Sequence, residues 1–192
     1  MTNFYILAGG KSRRFGANKA LFKIGGRTVI EIVIAAIPPG RPVFIVTHSP
    51  AEYAHLGLPT LPDNYSNAGP LAGIQAGLSH APFEWNFFLA CDFPCLRKSV
   101  IEEILAVLFN KNKKEEEEEV QVILPETVEG LQPLCALWSK STLLVIEAAL
   151  QGGQRSVRAV LVKLSLHRIF LAQPEALFNL NTPEDLAKLA KA

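Results

Sequence analysis

Short runs of consecutive apolar residues alternate along the chain with longer segments in which apolar residues recur every three or four positions. Short apolar runs rich in β-branched and aromatic residues are typical of buried strands, whereas the longer periodic segments indicate amphipathic helices. The predicted strands lie at residues 4–8, 43–47, 87–90, 120–124, 134–138 and 166–171. The predicted helices lie at residues 28–37, 50–56, 69–78, 99–109, 142–150 and 183–191. This alternation favours a Rossmann-like α/β fold, a three-layer α/β/α sandwich with a mostly parallel central sheet.

Two of the predicted helices carry clear start signals. Thr28 is a candidate N-cap for the first helix, which ends before a pair of prolines. Thr182 is the candidate N-cap of the last helix, with Pro183 at the first helical position. Glu184 and Asp185 follow, and negative charge is favourable at the positive end of a helix.

Length and charge limit the classes of protein to which the chain can belong. Its length of 192 residues suits one domain over residues 1–192. Its net charge of +1 gives no electrostatic indication of a nucleic-acid partner. No apolar run is long enough to span a bilayer. The first residues lack the basic segment that opens a signal peptide. We therefore expect a cytoplasmic protein without a membrane or nucleic-acid partner.

Cysteine and histidine residues do not form a recognisable metal or disulfide pattern. Cys91, Cys95 and Cys135 are odd in number and lack the spacing of a zinc site, which fits a reducing compartment. The four histidines are scattered singly along the sequence, and we interpret them as surface or structural residues. They are His48, His55, His80 and His167.

Positive charge is concentrated beside a pair of glycines at the end of the first predicted strand. Gly9 and Gly10 allow close approach of the backbone to a ligand, and successive N–H groups in such a turn can bind an anion. No acidic residue occurs before Glu31, whereas six basic residues do: Lys11, Arg13, Arg14, Lys19, Lys23 and Arg27. The simplest ligand for this arrangement is a polyphosphate. The alternative is an ordinary strand-to-helix turn with solvated basic side chains.

Known phosphate motifs do not describe this turn. The P-loop needs a glycine five residues before Gly10, where Tyr5 stands. The dinucleotide-binding glycine pattern fails as well, because the next glycine after Gly10 is Gly16. The turn therefore predicts a phosphate-binding loop of another kind.

Three side chains are candidates for the chemistry of a phosphate site. The Lys19 ammonium can neutralise phosphate charge, and Arg14, or its neighbour Arg13, can bind phosphate through two hydrogen bonds. Asp92 follows a predicted core strand, so it can lie at the same sheet edge as Gly9, and its carboxylate suits Mg²⁺. The alternatives are a solvated lysine and a turn aspartate.

The opening Leu7-Ala8-Gly9-Gly10-x-Ser12-x-Arg14-x-Gly16-x-x-Lys19 resembles that of the molybdenum cofactor guanylyltransferases (MobA), within the nucleotidyltransferase superfamily. Further matches follow in the expected order and cover nearly the whole chain. They are Asp63, Gly69-Pro70-Leu71-Ala72-Gly73, Cys91-Asp92-Phe93-Pro94, Gln132-Pro133-Leu134 and Asn179-Leu180-Asn181-Thr182-Pro183-Glu184-Asp185. Two departures stand out, because Asn18 replaces a usual aspartate and Phe15 replaces a usual methionine. Asn18 alters the charge beside Lys19.

The resemblance implies transfer of GMP from Mg·GTP to the terminal phosphate of a molybdopterin-type cofactor, with release of pyrophosphate. It implies a nucleotide-binding N-terminal part and a molybdopterin-binding C-terminal part. The implied nucleotide-binding residues are Leu7, Ala8, Gly9, Gly10, Lys19, Asp63, Gly69, Pro70, Leu71 and Asp92. The implied catalytic residues are Lys19, Asp92 and Arg14, with Asp92 as the ligand of Mg²⁺ (or Mn²⁺), and Arg14, Asn179 and Asn181 on the molybdopterin side. We also expect Gly69 and Gly73 to leave room beside the base.

Two other functions stay open at this point. A cytidylyltransferase acting on molybdopterin or on an isoprenoid-precursor phosphate is the nearest, although such relatives usually have Ala where Gly9 stands. A non-catalytic nucleotide-binding protein is the alternative from another class. The resemblance further implies molybdoenzyme chaperones or cofactor-insertion proteins as partners. We expect a monomer or weak oligomer.

Overall fold

The computed structural model describes residues 2–9, 18–65, 68–111, 119–182 and 184–185. Its strands are β1 (Phe4–Leu7), β2 (Lys23–Ile24), β3 (Arg27–Thr28), β4 (Val43–Val46), β5 (Thr60–Leu61), β6 (Trp85–Ala90), β7 (Val122–Thr127), β8 (Gly130–Leu131), β9 (Cys135–Ser139) and β10 (Leu166–Ile169). The main sheet has the order β10-β7-β9-β6-β1-β4-β5, and β8 pairs with β7 outside this path. Along this path every pairing is parallel except those of β9, which runs antiparallel to β6 and β7. The predicted mostly parallel sheet is confirmed.

Helices cover both faces of this sheet. They are α1 (Val29–Ala36), α2 (Pro50–Tyr53), α3 (Pro70–His80), α4 (Lys98–Lys111), α5 (Leu143–Gln151) and α6 (Val157–Leu161). One buried apolar cluster joins α1 and α4 to the sheet, through residues such as Ile30 and Ile101. The other joins α3, α5 and α6 to the opposite face, through residues such as Ile74 and Val160. The three-layer α/β/α prediction is therefore confirmed.

The start of α1 shows a reciprocal cap. The backbone N–H of Glu31 donates to the Thr28 hydroxyl oxygen at 3.4 Å, and the Thr28 N–H donates to a Glu31 carboxylate oxygen at 2.7 Å. The hydrogen bonds from the Thr28 backbone and side chain lower the pKa of Glu31. Thr28 is thus the N-cap that the sequence predicts.

Helix α3 lies unusually close to the central strands because two of its buried residues are glycines. A Cβ atom at Gly73 would lie 2.8 Å from Leu7 Cδ2, and one at Gly77 would lie 2.5 Å from Phe88 Cε1. The space beside Gly73 is therefore taken by Leu7, so it does not serve a base as we expected. Both glycines instead allow the helix to contact β1 and β6 directly.

Three features differ from the sequence-based expectations or extend beyond them. Helix α6 and strand β8 were not predicted, because each has too few residues for a periodic apolar signal. The last predicted helix, residues 183–191, lies mostly outside the described residues, although residues 184 and 185 are helical. Within the described ranges, no helix is long and apolar enough to cross a membrane.

The contact between α3 and the sheet can be tested by Gly77→Ala. The added methyl group meets the rings of Phe88 and Tyr5, which are fully buried and have little room to move. Overpacking of this kind costs about 1–3 kcal/mol, against a gain of about 1 kcal/mol in helix propensity. We therefore expect a lower free energy of unfolding in urea. Gln151→Ala, at an exposed helical position in α5, is the control, and equal stability of Gly77→Ala and wild type would contradict the close packing.

Candidate active site

The candidate site lies where β1 and β6 end side by side at the carboxyl edge of the sheet. Leu7 is paired with Ala90 in the parallel register, and the Cys91 N–H donates to the Leu7 carbonyl oxygen at 3.3 Å. The segment after β1 and the segment after β6 therefore leave the sheet together. Gly9 lies on the first of these segments and Asp92 on the second.

Lys19 links this edge to the C-terminal part of the chain. It begins a 3₁₀ helix, Lys19–Leu21, and its Nζ forms an ion pair with Oδ2 of Asp92. The same Nζ donates to Oδ1 of Asn181 at 3.2 Å. Both partners of the ion pair are mostly shielded, since the Lys19 and Asp92 side chains are 19% and 11% exposed. Weak solvent screening strengthens an interaction between such charges.

The segment that carries Asn181 is attached to Asp92 through the backbone. Its Leu180 N–H donates to the Asp92 carbonyl oxygen at 2.9 Å, and the Leu180 side chain is fully buried. The Asp185 carboxylate accepts from the N–H groups of Asn181 and Thr182, each at 3.0 Å. Asn179 lies apart from this contact, because its amide nitrogen donates to the Leu177 carbonyl oxygen at 3.3 Å.

Asp63 lies beside Gly9 on the other side of the site. Its side chain is 11% exposed, and its Oδ2 would lie 3.7 Å from a Cβ atom at Gly9. Nε2 of His48 is 2.7 Å from the Asp63 Oδ1, although the approach lacks hydrogen-bond geometry. The structure therefore brings the predicted Asp63 to Gly9. It also adds His48, for which the sequence offered no signal beyond its position after a strand.

The remaining predicted nucleotide contacts are divided between surface and core. Gly9, Gly69 and Pro70 are exposed, and Gly69 begins α3 with a φ of 66°, which favours glycine. The side chains of Leu7 and Leu71 are buried, so only their main chains could contact a nucleotide.

Ala8 is also buried, and its carbonyl oxygen is held by two hydroxyl groups. The Tyr53 hydroxyl donates to it at 3.3 Å and the Thr47 hydroxyl at 3.5 Å. The sequence did not point to either hydroxyl, since both lie on elements distant in sequence from Ala8. The predicted residues Gly10 and Arg14 lie outside the described residues.

Asp92 has an oxygen that suits a metal ion. Its Oδ1 is buried and has no hydrogen-bond partner among the described residues, whereas Oδ2 faces Lys19. Within the same part of the chain, no group of three or more His, Cys, Asp or Glu residues is arranged to hold a metal. A single carboxylate fits Mg²⁺, which keeps several waters and takes phosphate oxygens as its other ligands. The donor set is therefore compatible with a metal that arrives with a nucleotide.

Cys91 lies next to Asp92, but its thiol is unreactive. Burial, with a smaller contribution from the Asp92 charge, raises the pKa of its thiol to about 12. Because the thiolate is the reactive form, this cysteine is a core residue and not a nucleophile.

A lysine paired with a carboxylate at the carboxyl edge of a sheet covered on both faces is typical of nucleotide-binding α/β domains. Comparison with known families agrees: residues 4–168 match the model of the MobA-like NTP transferase domain. The chain belongs to this family.

Relatives extend over nearly the whole chain. A protein of Desulfosudis oleivorans named molybdenum cofactor guanylyltransferase is 36% identical over 97% of this chain and 93% of its own length. A protein of Nostoc sp. named "Probable molybdenum cofactor guanylyltransferase" is 38% identical over 95% of this chain and 87% of its own length. The crystal structure of molybdopterin-guanine dinucleotide biosynthesis protein A from Archaeoglobus fulgidus covers 100% of both chains with a TM-score of 0.81 and 23% identity. The last of these supports the fold alone.

The burial of the cysteines predicts their order of modification by a thiol reagent. Burial raises the pKa of Cys135 as well, whereas Cys95 is only partly buried. At pH 8 we expect mass spectrometry to find the label on Cys95 first, with Cys91 and Cys135 modified only after denaturation. Denatured protein, in which all three cysteines react, is the control. Rapid labelling of Cys91 in the folded protein would contradict a buried, protonated thiol.

Proposed function

We propose that this chain transfers GMP from Mg·GTP to the terminal phosphate of a molybdopterin-type cofactor and releases pyrophosphate. The observation that carries this proposal is the Lys19–Asp92 ion pair beside Gly9, in a chain whose relatives are named for this activity. Those names also favour a guanine over a cytosine nucleotide.

The reaction needs positioning and charge neutralisation more than acid–base chemistry. A phosphate oxygen of the acceptor attacks the α-phosphorus of GTP, the bond between the α-phosphorus and the bridging oxygen breaks, and pyrophosphate leaves with the electron pair. Because the acceptor phosphate is already ionised, no general base is required. This agrees with the inert Cys91 thiol beside Asp92.

Lys19 and Asp92 have complementary tasks in this proposal. The Lys19 ammonium interacts with negative charge that develops on the leaving pyrophosphate. This electrostatic interaction is strong because the site is shielded from solvent. Asp92 would hold Mg²⁺, and its Oδ1, a buried oxygen without a hydrogen-bond partner in the described part of the chain, is the atom suited to this. The metal, or Mn²⁺ in its place, supplies neutralisation of the triphosphate.

The two ends of the chain contribute different substrate sites. We assign the nucleotide to the N-terminal part, with Asp63 and the exposed start of α3 beside Gly9. The assigned residues are Leu7, Ala8, Gly9, Gly10, Lys19, Asp63, Gly69, Pro70, Leu71 and Asp92. We assign molybdopterin to Arg14, Asn179 and Asn181, and the contact from Asn181 to Lys19 supports a shared border between the two sites.

Location and partners follow from the same reaction. Cys91, Cys95 and Cys135 are free thiols, so we place the protein in the reducing cytoplasm. A reactive cofactor must be handed over, so the proposal includes molybdoenzyme chaperones or cofactor-insertion proteins as partners, with the enzyme itself as a monomer or weak oligomer in one domain.

Nucleotide choice is the first test of the proposal. Calorimetry on the purified protein with Mg²⁺ should show clear preference for GTP over CTP, ATP and UTP. Addition of molybdopterin should then give pyrophosphate that depends on both Mg²⁺ and GTP. Preference for CTP would support the cytidylyltransferase alternative. Nucleotide binding without pyrophosphate release would support the non-catalytic alternative, and the absence of any nucleotide binding would overturn the proposal.

The role of Asp92 can be tested by Asp92→Ala. Removal of the carboxylate should lower pyrophosphate release by at least about a hundredfold. The fold should persist, because the bond from Leu180 uses the Asp92 backbone. Glu102→Ala, which removes an exposed carboxylate on α4, is the matched control. Normal turnover by a folded Asp92→Ala protein would exclude Asp92 from the reaction.

A further inference from the structure

We infer that Asn18 is a positioning residue for Lys19, and that it acts through a directional hydrogen-bond relay which requires its amide group. The relay runs from Asn18 through Tyr53 to the backbone of Ala8, at the end of β1. The consequence for catalysis rests on the proposed function, whereas the relay itself can be tested without a nucleotide.

Both the amide nitrogen and the amide oxygen of the Asn18 side chain form hydrogen bonds. Its Nδ2 donates to the Tyr53 hydroxyl oxygen at 2.9 Å and to a Glu52 carboxylate oxygen at 2.6 Å. Its Oδ1 accepts from the Ala20 N–H at 3.1 Å and so caps the 3₁₀ helix that begins with Lys19. A single side chain thus connects the segment of Lys19 to helix α2.

The direction of the relay is fixed by the state of Tyr53. This side chain is 1% exposed, and burial raises the pKa of its hydroxyl to about 12. The hydroxyl therefore stays protonated and has one hydrogen to donate. Because that hydrogen goes to the Ala8 carbonyl oxygen at 3.3 Å, Tyr53 must accept its other bond from a donor. The Asn18 amide is that donor.

The relay constrains the backbone from which the Lys19 side chain reaches Asp92. A lysine side chain has four carbon atoms and much rotational freedom, so its ammonium is only as well placed as its main chain. The main chain at Lys19 is held by the Asn18 cap, and Asn18 is held against Ala8 through Tyr53. The main chain of Lys19 and the end of β1 are therefore kept in one relative position.

An aspartate at position 18 would preserve only half of these bonds. Its carboxylate could still accept from Ala20, but it has no N–H to donate to Tyr53 or Glu52. It would compete with the Ala8 carbonyl for the single Tyr53 hydrogen. It would also face the Glu52 carboxylate, although that repulsion is screened because Glu52 is exposed. Asparagine at this position, where the family usually has aspartate, is thus matched to Glu52 and Tyr53.

Thermal unfolding tests the relay in the absence of nucleotide. We expect Asn18→Asp to lower the melting temperature by about 2–4 °C. We expect a much smaller further loss when Asn18→Asp is added to Tyr53→Phe, because the hydroxyl that couples the two sites is already gone. In a Glu52→Gln background part of the loss should disappear, more so at low salt than at high salt. Fully additive effects of Asn18→Asp and Tyr53→Phe would overturn the relay.

Binding of Mg·GTP tests whether the relay positions Lys19. Asn18→Asp should weaken the affinity by about tenfold, and this loss should vanish in a Lys19→Gln background. Gln151→Glu adds the same charge at an exposed position at the end of α5 and serves as the control for net charge. Tyr5→Phe removes another buried tyrosine hydroxyl, bonded to Asn3 and His80, and controls for a general loss of stability.

The outcomes separate this inference from the proposed function. If wild type binds no nucleotide, the proposed function is wrong, but the unfolding experiment still shows whether the relay exists. If wild type binds Mg·GTP and Asn18→Asp binds it equally well, the positioning role of Asn18 is wrong. An equal loss in the presence and absence of the Lys19 ammonium would also contradict it, since Asn18 would then act by another route.

Discussion

The ion pair between Lys19 and Asp92 is the interaction on which the arrangement of the site depends. Its two residues are 73 positions apart in sequence, and they meet because β1 and β6 are adjacent parallel strands that end at the same level. Asn18 caps the 3₁₀ helix that begins with Lys19, and Asn181 accepts a hydrogen bond from the Lys19 ammonium. The N-terminal segment, the candidate metal ligand and the C-terminal segment are thus joined at one pair of charges.

Partial burial gives this pair its chemical value. Both side chains are shielded but not sealed, so a charged ligand can reach them while solvent screens them only weakly. Asp92 keeps one buried oxygen that no described residue satisfies, and such an oxygen is costly unless a ligand uses it. A phosphate-bound metal would satisfy it. A buried oxygen without a hydrogen-bond partner would destabilise the fold at an ordinary core position, but it suits a site that binds a substrate.

The shape of the site is set by contacts that contain no charge. Gly73 and Gly77 let α3 approach Leu7 and Phe88 closely, and this places the exposed start of the helix near the carboxyl edge. Leu7 and Leu71 have side chains in the core, so only their main chains are left for contact with a nucleotide. The apolar packing behind the sheet edge thus determines the shape of this edge.

The buried strands, the Thr28 cap and the motifs that indicate the family could all be predicted from the sequence alone, whereas the phosphate-binding role of the residues after Gly9 stays a prediction. The strands, the cap and the motifs depend on neighbouring residues, so patterns a few positions long reveal them. Three contacts became known only from the folded structure: Asn181 and not Asn179 contacts Lys19, Leu7 fills the space beside Gly73, and Tyr53 connects Asn18 to Ala8. Such contacts join distant residues through strand order and register, which no local pattern records. Helix α6 was not predicted for a related reason, since five residues form a stable helix only when the rest of the fold covers them.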